Sequence, residues 1–206
     1  MPKALVYLVD DDSEIRTHLA ECLADAGHKV LQFVSTEAFL DVLTDYSPAV
    51  IVSDMSLPGL SGVDLLKTVR EAGFCMPLIF ISGFSEPTQI IKGMKLGAVD
   101  FLWKPFKSEA LVTAVNKALA DDRLRVNNDN AHNSIKLLWD TMSDREKEVC
   151  QLMLLSYGNT EIALRLDIQP DTANKHRMKV LKKMHVNTRP ELIALLKGFN
   201  LLEQQK

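Results

Sequence analysis

The chain has 206 residues, of which 47% are hydrophobic and 25% are charged, and its net charge is −3. This composition is that of a globular protein and excludes a disordered or fibrous chain. No apolar run approaches the roughly 20 residues that a membrane-spanning helix needs, so we expect a cytoplasmic protein without membrane contact. The widely spaced Cys22, Cys75 and Cys150 indicate buried thiols instead of a disulfide framework or a zinc site.

Charge is unevenly distributed along the chain. Residues 1–120 carry ten Lys and Arg against fifteen Asp and Glu, whereas residues 135–206 carry twelve against nine. The N-terminal part is acidic and the C-terminal part is mildly basic. This difference indicates two domains with different ligands, a cation for the N-terminal domain and a polyanion for the C-terminal one.

Short apolar runs and helical patterns alternate over residues 1–120. A helical pattern follows each run; Ser13 can cap the first, and the second pattern is the weakest of the five. Because parallel neighbours need crossover helices, this alternation predicts an α/β doubly wound five-stranded parallel sheet, a flavodoxin-like fold. The runs are ALVYLV (4–9), KVLQFV (29–34), AVIVS (49–53), LIFIS (78–82) and VDFLW (99–103).

Residues 121–136 are polar and rich in Asn, and we expect them to form a linker. Beyond them, residues 137–206 show only helical patterns and predict an all-α domain. The expected helix starts are a capping box of Ser143 and Glu146, a cap at Asn159, Pro170 at the head of a basic helix, and Thr188 with Glu191. A short turn separates the helix after Asn159 from the basic one, which indicates a helix-turn-helix.

Polar side chains follow the ends of four predicted strands, and strand ends are where open parallel sheets bind ligands. Clustered carboxylates need a cation, and an all-oxygen site suits Mg²⁺. Once the metal ion and Lys104 neutralise the negative charge, one of these carboxylates can attack a phosphorus atom. Singly, each residue could instead serve a turn or a helix cap, Asp12 above all. The polar side chains at these strand ends are Asp10, Asp11, Asp12, Asp54, Ser82 and Lys104.

The basic helix that follows Pro170 has two faces. Ala173, Val180 and Met184 form the apolar one, and the opposite face fits a major groove, although a solvated surface helix has the same pattern. Side chains near the helix start are expected to read bases, and lysines further along to contact the DNA backbone. The expected contacts are Thr172, Asn174, Lys175, Met178, Lys179 and Lys182.

Residues 1–120 resemble the receiver domain of bacterial response regulators. The resemblance lies in LVDDDSEIR, IVSDMSLPGLSGVDLL, IFISG and FLWKPF, in this order and spacing. It implies that a sensor histidine kinase phosphorylates Asp54. It also implies that Asp10, Asp11 and Asp54 bind Mg²⁺ together with the backbone carbonyl of Ser56.

The same resemblance assigns the remaining site residues. Ser82, in place of the commoner threonine, and Lys104 would bind the acyl phosphate, and Phe101 stands at the family's aromatic switch position. The bond from Lys104 to Pro105 is cis in such domains.

The C-terminal segments SDREKEVCQLMLLSYGNTEIALRL and TANKHRMKVLKKM resemble the LuxR-type output domain. The whole chain is thus similar to transcription regulators of the FixJ/NarL class. This implies a homodimer when phosphorylated, formed through the helix with Ile91 and Lys95, that binds an operator in double-stranded DNA. RNA polymerase is a further candidate partner.

Two alternatives remain open from the sequence. Asp10 and Asp12 have the D-x-D spacing of haloacid-dehalogenase-like phosphohydrolases, in which the first aspartate is the nucleophile, but such an enzyme would not need Asp54. The output domain could also bind RNA or a protein, although the basic helix lacks the aromatic residues that stack unpaired bases.

Overall fold

A computed structural model describes residues 4–44, 46–197 and 199 of the chain. The chain separates into two compact units, residues 1–127 and 128–206. The predicted domains also include residues 1–3, 45, 198 and 200–206, which lie outside the described part. Within that part, every helix is too short or too polar to cross a membrane.

The first unit contains a five-stranded sheet in which every pair of neighbours is parallel, in the order β2-β1-β3-β4-β5. This confirms the predicted doubly wound sheet, and the strands match the predicted runs to within one residue at each end. Strands β1, β3 and β4 are buried along their whole length because helices cover both faces. The strands are β1 (Leu5–Val9), β2 (Lys29–Phe33), β3 (Ala49–Asp54), β4 (Leu78–Ser82) and β5 (Asp100–Trp103).

Five helices surround this sheet. One apolar core contains Leu23 and Leu111 against one sheet face, and the other contains Phe39, Leu66 and Phe80 on the opposite face. The helices are α1 (Ser13–Asp25), α2 (Thr36–Leu40), α3 (Gly62–Glu71), α4 (Pro87–Lys95) and α5 (Ser108–Asp140).

The start of α3 lies unusually close to the end of β3. A Cβ atom on Gly62 would stand 2.4 Å from the main-chain oxygen of Asp54, far inside contact distance. Only glycine therefore lets the first turn of α3 approach the strand that carries Asp54. This contact fixes the connecting loop beside the site described below.

The second unit is helical, as predicted. Its core joins Trp139 to Cys150, Met153, Val180 and Leu192, all fully or almost fully buried. The capping box at Ser143 and the cap at Thr188 are present as expected. The helices are α6 (Asp144–Leu154), α7 (Asn159–Leu166), α8 (Pro170–Lys183) and α9 (Arg189–Leu196).

Residues 121–136, the predicted linker, are helical, because α5 continues through them to Asp140. Three local predictions were wrong. The N-cap of α1 is Asp12 and not Ser13, and that of α7 is Gly158 and not Asn159. Of the three cysteines, only Cys150 is buried; Cys75 is exposed. Burial raises the pKa of the Cys150 thiol to about 12, so this thiol stays protonated.

Candidate functional sites

Lys104 joins two carboxylates at the carboxyl edge of the sheet. Its Nζ lies 2.8 Å from Oδ2 of Asp10, which follows β1, and 2.6 Å from Oδ2 of Asp54, which ends β3. The side chains of Asp10 and Asp54 are only 1% and 12% exposed. Side chains from three strand ends thus form one buried ionic network, as the sequence predicts for these three residues.

The network is electrostatically coupled. Burial raises the pKa of the Asp10 carboxyl above its usual value, although the hydrogen bond from Lys104 acts in the opposite direction. Burial lowers the pKa of Lys104, but its bonds to Asp10 and Asp54 outweigh this, and the net pKa is raised. Lys104 is therefore a permanent cation between the two carboxyl groups.

Backbone donors orient the remaining carboxylate oxygens. Asp54 Oδ1 accepts a hydrogen bond from the backbone N–H of Ser56 at 2.8 Å, and Asp10 Oδ1 accepts one from Asp12 at 2.9 Å. Arg16 donates from Nη1 to the Asp10 carbonyl oxygen at 2.6 Å. Arg16 could not be predicted from the sequence, since an arginine near the start of a helix carries no signal of its own.

The other predicted metal ligands are arranged differently. Asp11 is exposed, and Asp12 caps α1 by accepting hydrogen bonds from the N–H groups of Glu14 and Ile15. In the described part of the chain, no three acidic, His or Cys side chains gather closely enough to hold a metal ion. The atoms at this edge that could bind a metal ion are nevertheless all oxygen atoms. A pair of carboxylates with backbone and water ligands fits Mg²⁺.

The hydroxyl of Ser82 faces the loop between β4 and α4. Its Oγ donates to the carbonyl oxygen of Phe84 at 2.9 Å and lies 2.7 Å from Oγ of Ser85. Ser56 Oγ also donates to the Phe84 carbonyl, at 3.1 Å. Ser82 thus forms its hydrogen bonds with the loop that follows β4. Ser85 was not among the predicted site residues.

Phe101 lies half-buried on β5. Its ring packs edge-to-face on Trp103, with ring centroids 4.9 Å apart and the planes at 71°. The bond between Lys104 and Pro105 is cis, as the resemblance implies.

Helix α8 presents the predicted two faces. Ala173, Val180 and Met184 are buried in the core of the second unit. Thr172 is half-buried, and the remaining predicted DNA contacts are exposed. These exposed side chains are Asn174, Lys175, Met178, Lys179 and Lys182.

Asn159 connects α7 to this exposed face. Arg177 donates from Nη1 to Asn159 Oδ1 at 2.7 Å, and Asn159 Nδ2 donates to Asn174 Oδ1 at 3.3 Å. Because a guanidinium can only donate, it fixes the amide orientation of Asn159 and, through it, that of Asn174. The amide nitrogen of Asn174 and a second lone pair on its oxygen remain for a ligand. Asn159 was predicted only as a helix cap, and its sequence context carries no signal of this role.

Glu146 anchors the end of α8 to the start of α6. Its Oε2 accepts hydrogen bonds from Lys183 Nζ at 2.6 Å and from the Ser143 N–H at 2.8 Å, and its side chain is 6% exposed. Lys183 also donates to the carbonyl of Thr141. The bond from Lys183 lowers the pKa of the Glu146 carboxyl below its usual value, against the opposing effect of burial.

Glu146→Gln is expected to lower the unfolding free energy of the second unit by about 1–2 kcal/mol at neutral pH, because a charge-assisted hydrogen bond is lost. A depressed folded-state pKa means that this stabilisation is complete above the unfolded value of about 4.3 and disappears as pH falls through the folded value. The difference between parent and variant should therefore shrink in acid. Urea titrations followed by Trp139 fluorescence in a Trp103→Phe background measure it.

Glu148→Gln is the matched control for this experiment. Glu148 lies on the same helix, but its pair with Arg145 is largely exposed, so its removal should cost well under 1 kcal/mol. Equal losses in the two variants, or a Glu146→Gln effect that persists in acid, would contradict the assignment.

Comparisons with known proteins agree with this geometry. The receiver-domain model of response regulators matches residues 6–116, and that of bacterial regulatory proteins of the luxR family matches residues 140–196. The transcriptional regulatory protein FixJ of Azorhizobium caulinodans is 35% identical over 96% of this chain and 95% of the relative.

Two solved structures are also similar over nearly the whole chain. The response regulator StyR has a TM-score of 0.87 at 29% identity, covering 96% of this chain and 100% of that chain. Full-length FixJ from B. japonicum has a TM-score of 0.61 at 32% identity, covering 96% and 97%.

These matches decide between the hypotheses left open by the sequence. The matched families are transcription regulators and not enzymes, so the phosphohydrolase alternative is set aside. A receiver domain implies a histidine kinase as partner, and a LuxR-type domain implies DNA as ligand. The chain belongs to the FixJ-like response regulators, in which phosphorylation of a receiver domain regulates transcription through a LuxR-type DNA-binding domain.

Proposed function

We propose that Asp54 accepts the phosphoryl group and that phosphorylation drives dimerisation and operator binding. The observation that carries this proposal is the buried contact of Lys104 with both Asp54 and Asp10. It holds a carboxylate oxygen of Asp54 next to a cation that can compensate the charge of an incoming phosphoryl group.

Mg²⁺ is the cofactor that we propose for the phosphorylation. Asp10, Asp11 and Asp54, with the carbonyl of Ser56, would hold it and leave positions for water. When bound, the ion supplies charge neutralisation at the phosphoryl oxygens. The protein's own contribution is to position Asp54 through the Ser56 N–H and to place Lys104 beside it.

Phosphorylation has a route to the surface of the first unit. We propose that Lys104 and Ser82 bind phosphoryl oxygens and that Ser82 then releases the Phe84 carbonyl, which shifts the loop before α4 and the ring of Phe101. Apolar side chains stay exposed on this side: Ile91 on α4 is 54% exposed and Trp103 on β5 is 53% exposed. Their exposure supports a dimer face that includes Ile91 and Lys95 and would bury these side chains against a second copy.

The second unit then reads an operator, with RNA polymerase as a further partner at the promoter. Asn174 and Lys175 lie in the first half of α8, the part that enters a major groove in helix-turn-helix proteins, and Met178 lies just past the middle of the helix. Thr172 adjoins them, and Lys179 and Lys182 lie nearer the DNA backbone. The amide that Asn159 orients suits the edge of an adenine, with Nδ2 donating to N7 and Oδ1 accepting from the 6-amino group.

Binding isotherms on a selected operator and on random DNA distinguish the base-reading contacts from the contacts with the DNA backbone. The protein is phosphorylated by acetyl phosphate for both measurements. Asn174→Ala should lose about 1–3 kcal/mol on the operator and relax the preference at one base pair, with little change on random DNA. Lys182→Ala should weaken both complexes alike and reduce the salt slope by about one, because one phosphate contact is lost.

Lys136→Ala, which removes an exposed lysine of α5, serves as the control and should leave both isotherms and their salt slopes unchanged. If Asn174→Ala weakens operator and random DNA equally, Asn174 is not a base reader. If phosphorylation changes neither isotherm of the parent, the proposed link between Asp54 and DNA fails.

A further inference from the structure

Ser85 and Ser82 form a buried hydroxyl pair beside the phosphoacceptor site. Ser82 is fully buried and Ser85 is 8% exposed, and their Oγ atoms lie 2.7 Å apart. Water has little access to this bond, so the contact persists without solvent competition. The sequence resemblance assigns a function to Ser82 but none to Ser85.

The direction of this hydrogen bond follows from the neighbouring groups. Ser82 Oγ lies 2.9 Å from the carbonyl oxygen of Phe84, which can only accept. The single proton of Ser82 is therefore committed to Phe84, and Ser85 must donate to Ser82. In this arrangement Ser85 holds the Ser82 oxygen as an acceptor, so the proton of Ser82 is available for donation to another group.

We propose that Ser85 is a positioning residue that keeps the Ser82 hydroxyl oriented as a donor to the phosphoryl group on Asp54. A threonine at this position would have a stiff χ1 because it is β-branched, whereas serine samples three rotamers. The bond from Ser85 supplies the orientation that the missing methyl group would give. This inference rests on the proposed function of Ser82 as a phosphoryl ligand.

The surrounding bonds permit Ser82 to change acceptor without loss elsewhere. When Ser82 turns its proton from Phe84 to a phosphoryl oxygen, the Phe84 carbonyl keeps its bond from Ser56 Oγ at 3.1 Å and is not left unpaired. Ser82 can continue to accept from Ser85 throughout. The loop therefore has a second hydrogen-bonded arrangement available.

The test is the initial rate of Asp54 phosphorylation by acetyl phosphate and Mg²⁺, followed by intact-mass analysis of the full chain. Complete removal of one donor to a reacting oxygen typically costs 10²–10³-fold in rate. Loss of orientation alone should cost less, so we expect Ser85→Ala to slow phosphorylation about 10-fold. Ser85→Thr, which keeps the hydroxyl, should retain the parental rate to within about twofold.

A double-mutant cycle separates positioning from a general structural effect. Because Ser85 acts through Ser82, adding Ser85→Ala to Ser82→Ala should cause no further slowing. In a Ser82→Thr background, where the methyl group restrains χ1, the effect of Ser85→Ala should also fall to below about twofold.

The outcomes distinguish this inference from the proposed function beneath it. If Ser82→Ala is phosphorylated slowly and Ser85→Ala at the parental rate, the positioning role of Ser85 is wrong but the proposed role of Ser82 stands. A parental rate for Ser82→Ala would overturn both. Equal slowing by Ser85→Ala with and without the Ser82 hydroxyl would make Ser85 a structural residue only.

Discussion

Asp54→Asn is expected to abolish phosphorylation of the chain by acetyl phosphate in the presence of Mg²⁺. The amide that replaces the carboxylate has no anionic oxygen to attack phosphorus, while its size and its bond from the Ser56 N–H are conserved. The fold should therefore persist. Intact-mass analysis should detect one added phosphoryl group on the parent and none on the variant.

Two other aspartates supply the controls. Asp10→Asn should only slow phosphorylation, because Asp10 contacts Lys104 but does not form the acyl phosphate. Asp12→Asn should react like the parent, since Asp12 caps α1 and asparagine is an equally good cap. If Asp54→Asn is still phosphorylated and Asp10→Asn is not, Asp10 is the phosphoacceptor and the proposed site is wrong.

The sequence predicted those parts of the fold that depend on apolar patterns. Strands β1, β3 and β4 are mainly apolar runs; Asp10 follows β1, Asp54 ends β3 and Ser82 ends β4. Strand ends in a parallel sheet meet at one edge. The contact of Lys104 with both aspartates follows from this topology. The hydrogen bonds of Ser82 do not, because they depend on the path of the loop through Phe84 and Ser85.

The helical segment 121–136 shows where composition misleads. Its Asn and Asp residues have low helix propensity, but it contains neither Pro nor Gly to interrupt a helix. Leu119 before it and Trp139 after it are buried in the two cores. Tertiary packing at both ends thus stabilises a helix that local propensity does not favour.

The wrong caps have a similar physical origin. Asp12 and Ser13 are both good N-cap residues, but in the structure it is the Asp12 carboxylate that accepts from the free N–H groups of the first turn. At α7, the side chain of Asn159 is taken by Arg177, and Glu161 bonds the N–H of Gly158 instead. At α7, the choice between equivalent local bonds thus depends on a partner that is distant in sequence.

Lys104→Ala is expected to bind Mg²⁺ yet remain monomeric when phosphorylated. Shifting a two-state receiver from mostly inactive to mostly active needs about 5.5 kcal/mol of differential stabilisation, and the contacts of the phosphoryl group with Lys104 and Ser82 must supply most of it. Without Lys104, a large share of this free energy is lost. The phosphorylated variant should then stay in the inactive state.

Mg²⁺ provides a readout of the variant's folded state. Lys104 compensates the buried charges of Asp10 and Asp54, so its removal leaves two carboxylates with uncompensated repulsion. Lys104→Ala should have a lower Tm than the parent without Mg²⁺ and a larger rise in Tm when Mg²⁺ is added. A variant that shows no rise has lost the metal site, which would contradict the assignment of Asp10 and Asp54 as its ligands.

Sedimentation velocity decides the role of Lys104 in the switch. Parent and variant are compared at equal phosphorylation, verified by intact mass, or with beryllofluoride as a phosphoryl mimic. Lys107→Ala, which removes an exposed lysine three residues further along the chain, is the control and should dimerise like the parent. An unchanged shift from monomer to dimer in Lys104→Ala would refute the mechanism. The phosphoryl group would then act on the dimer face without Lys104, which contacts both buried aspartates.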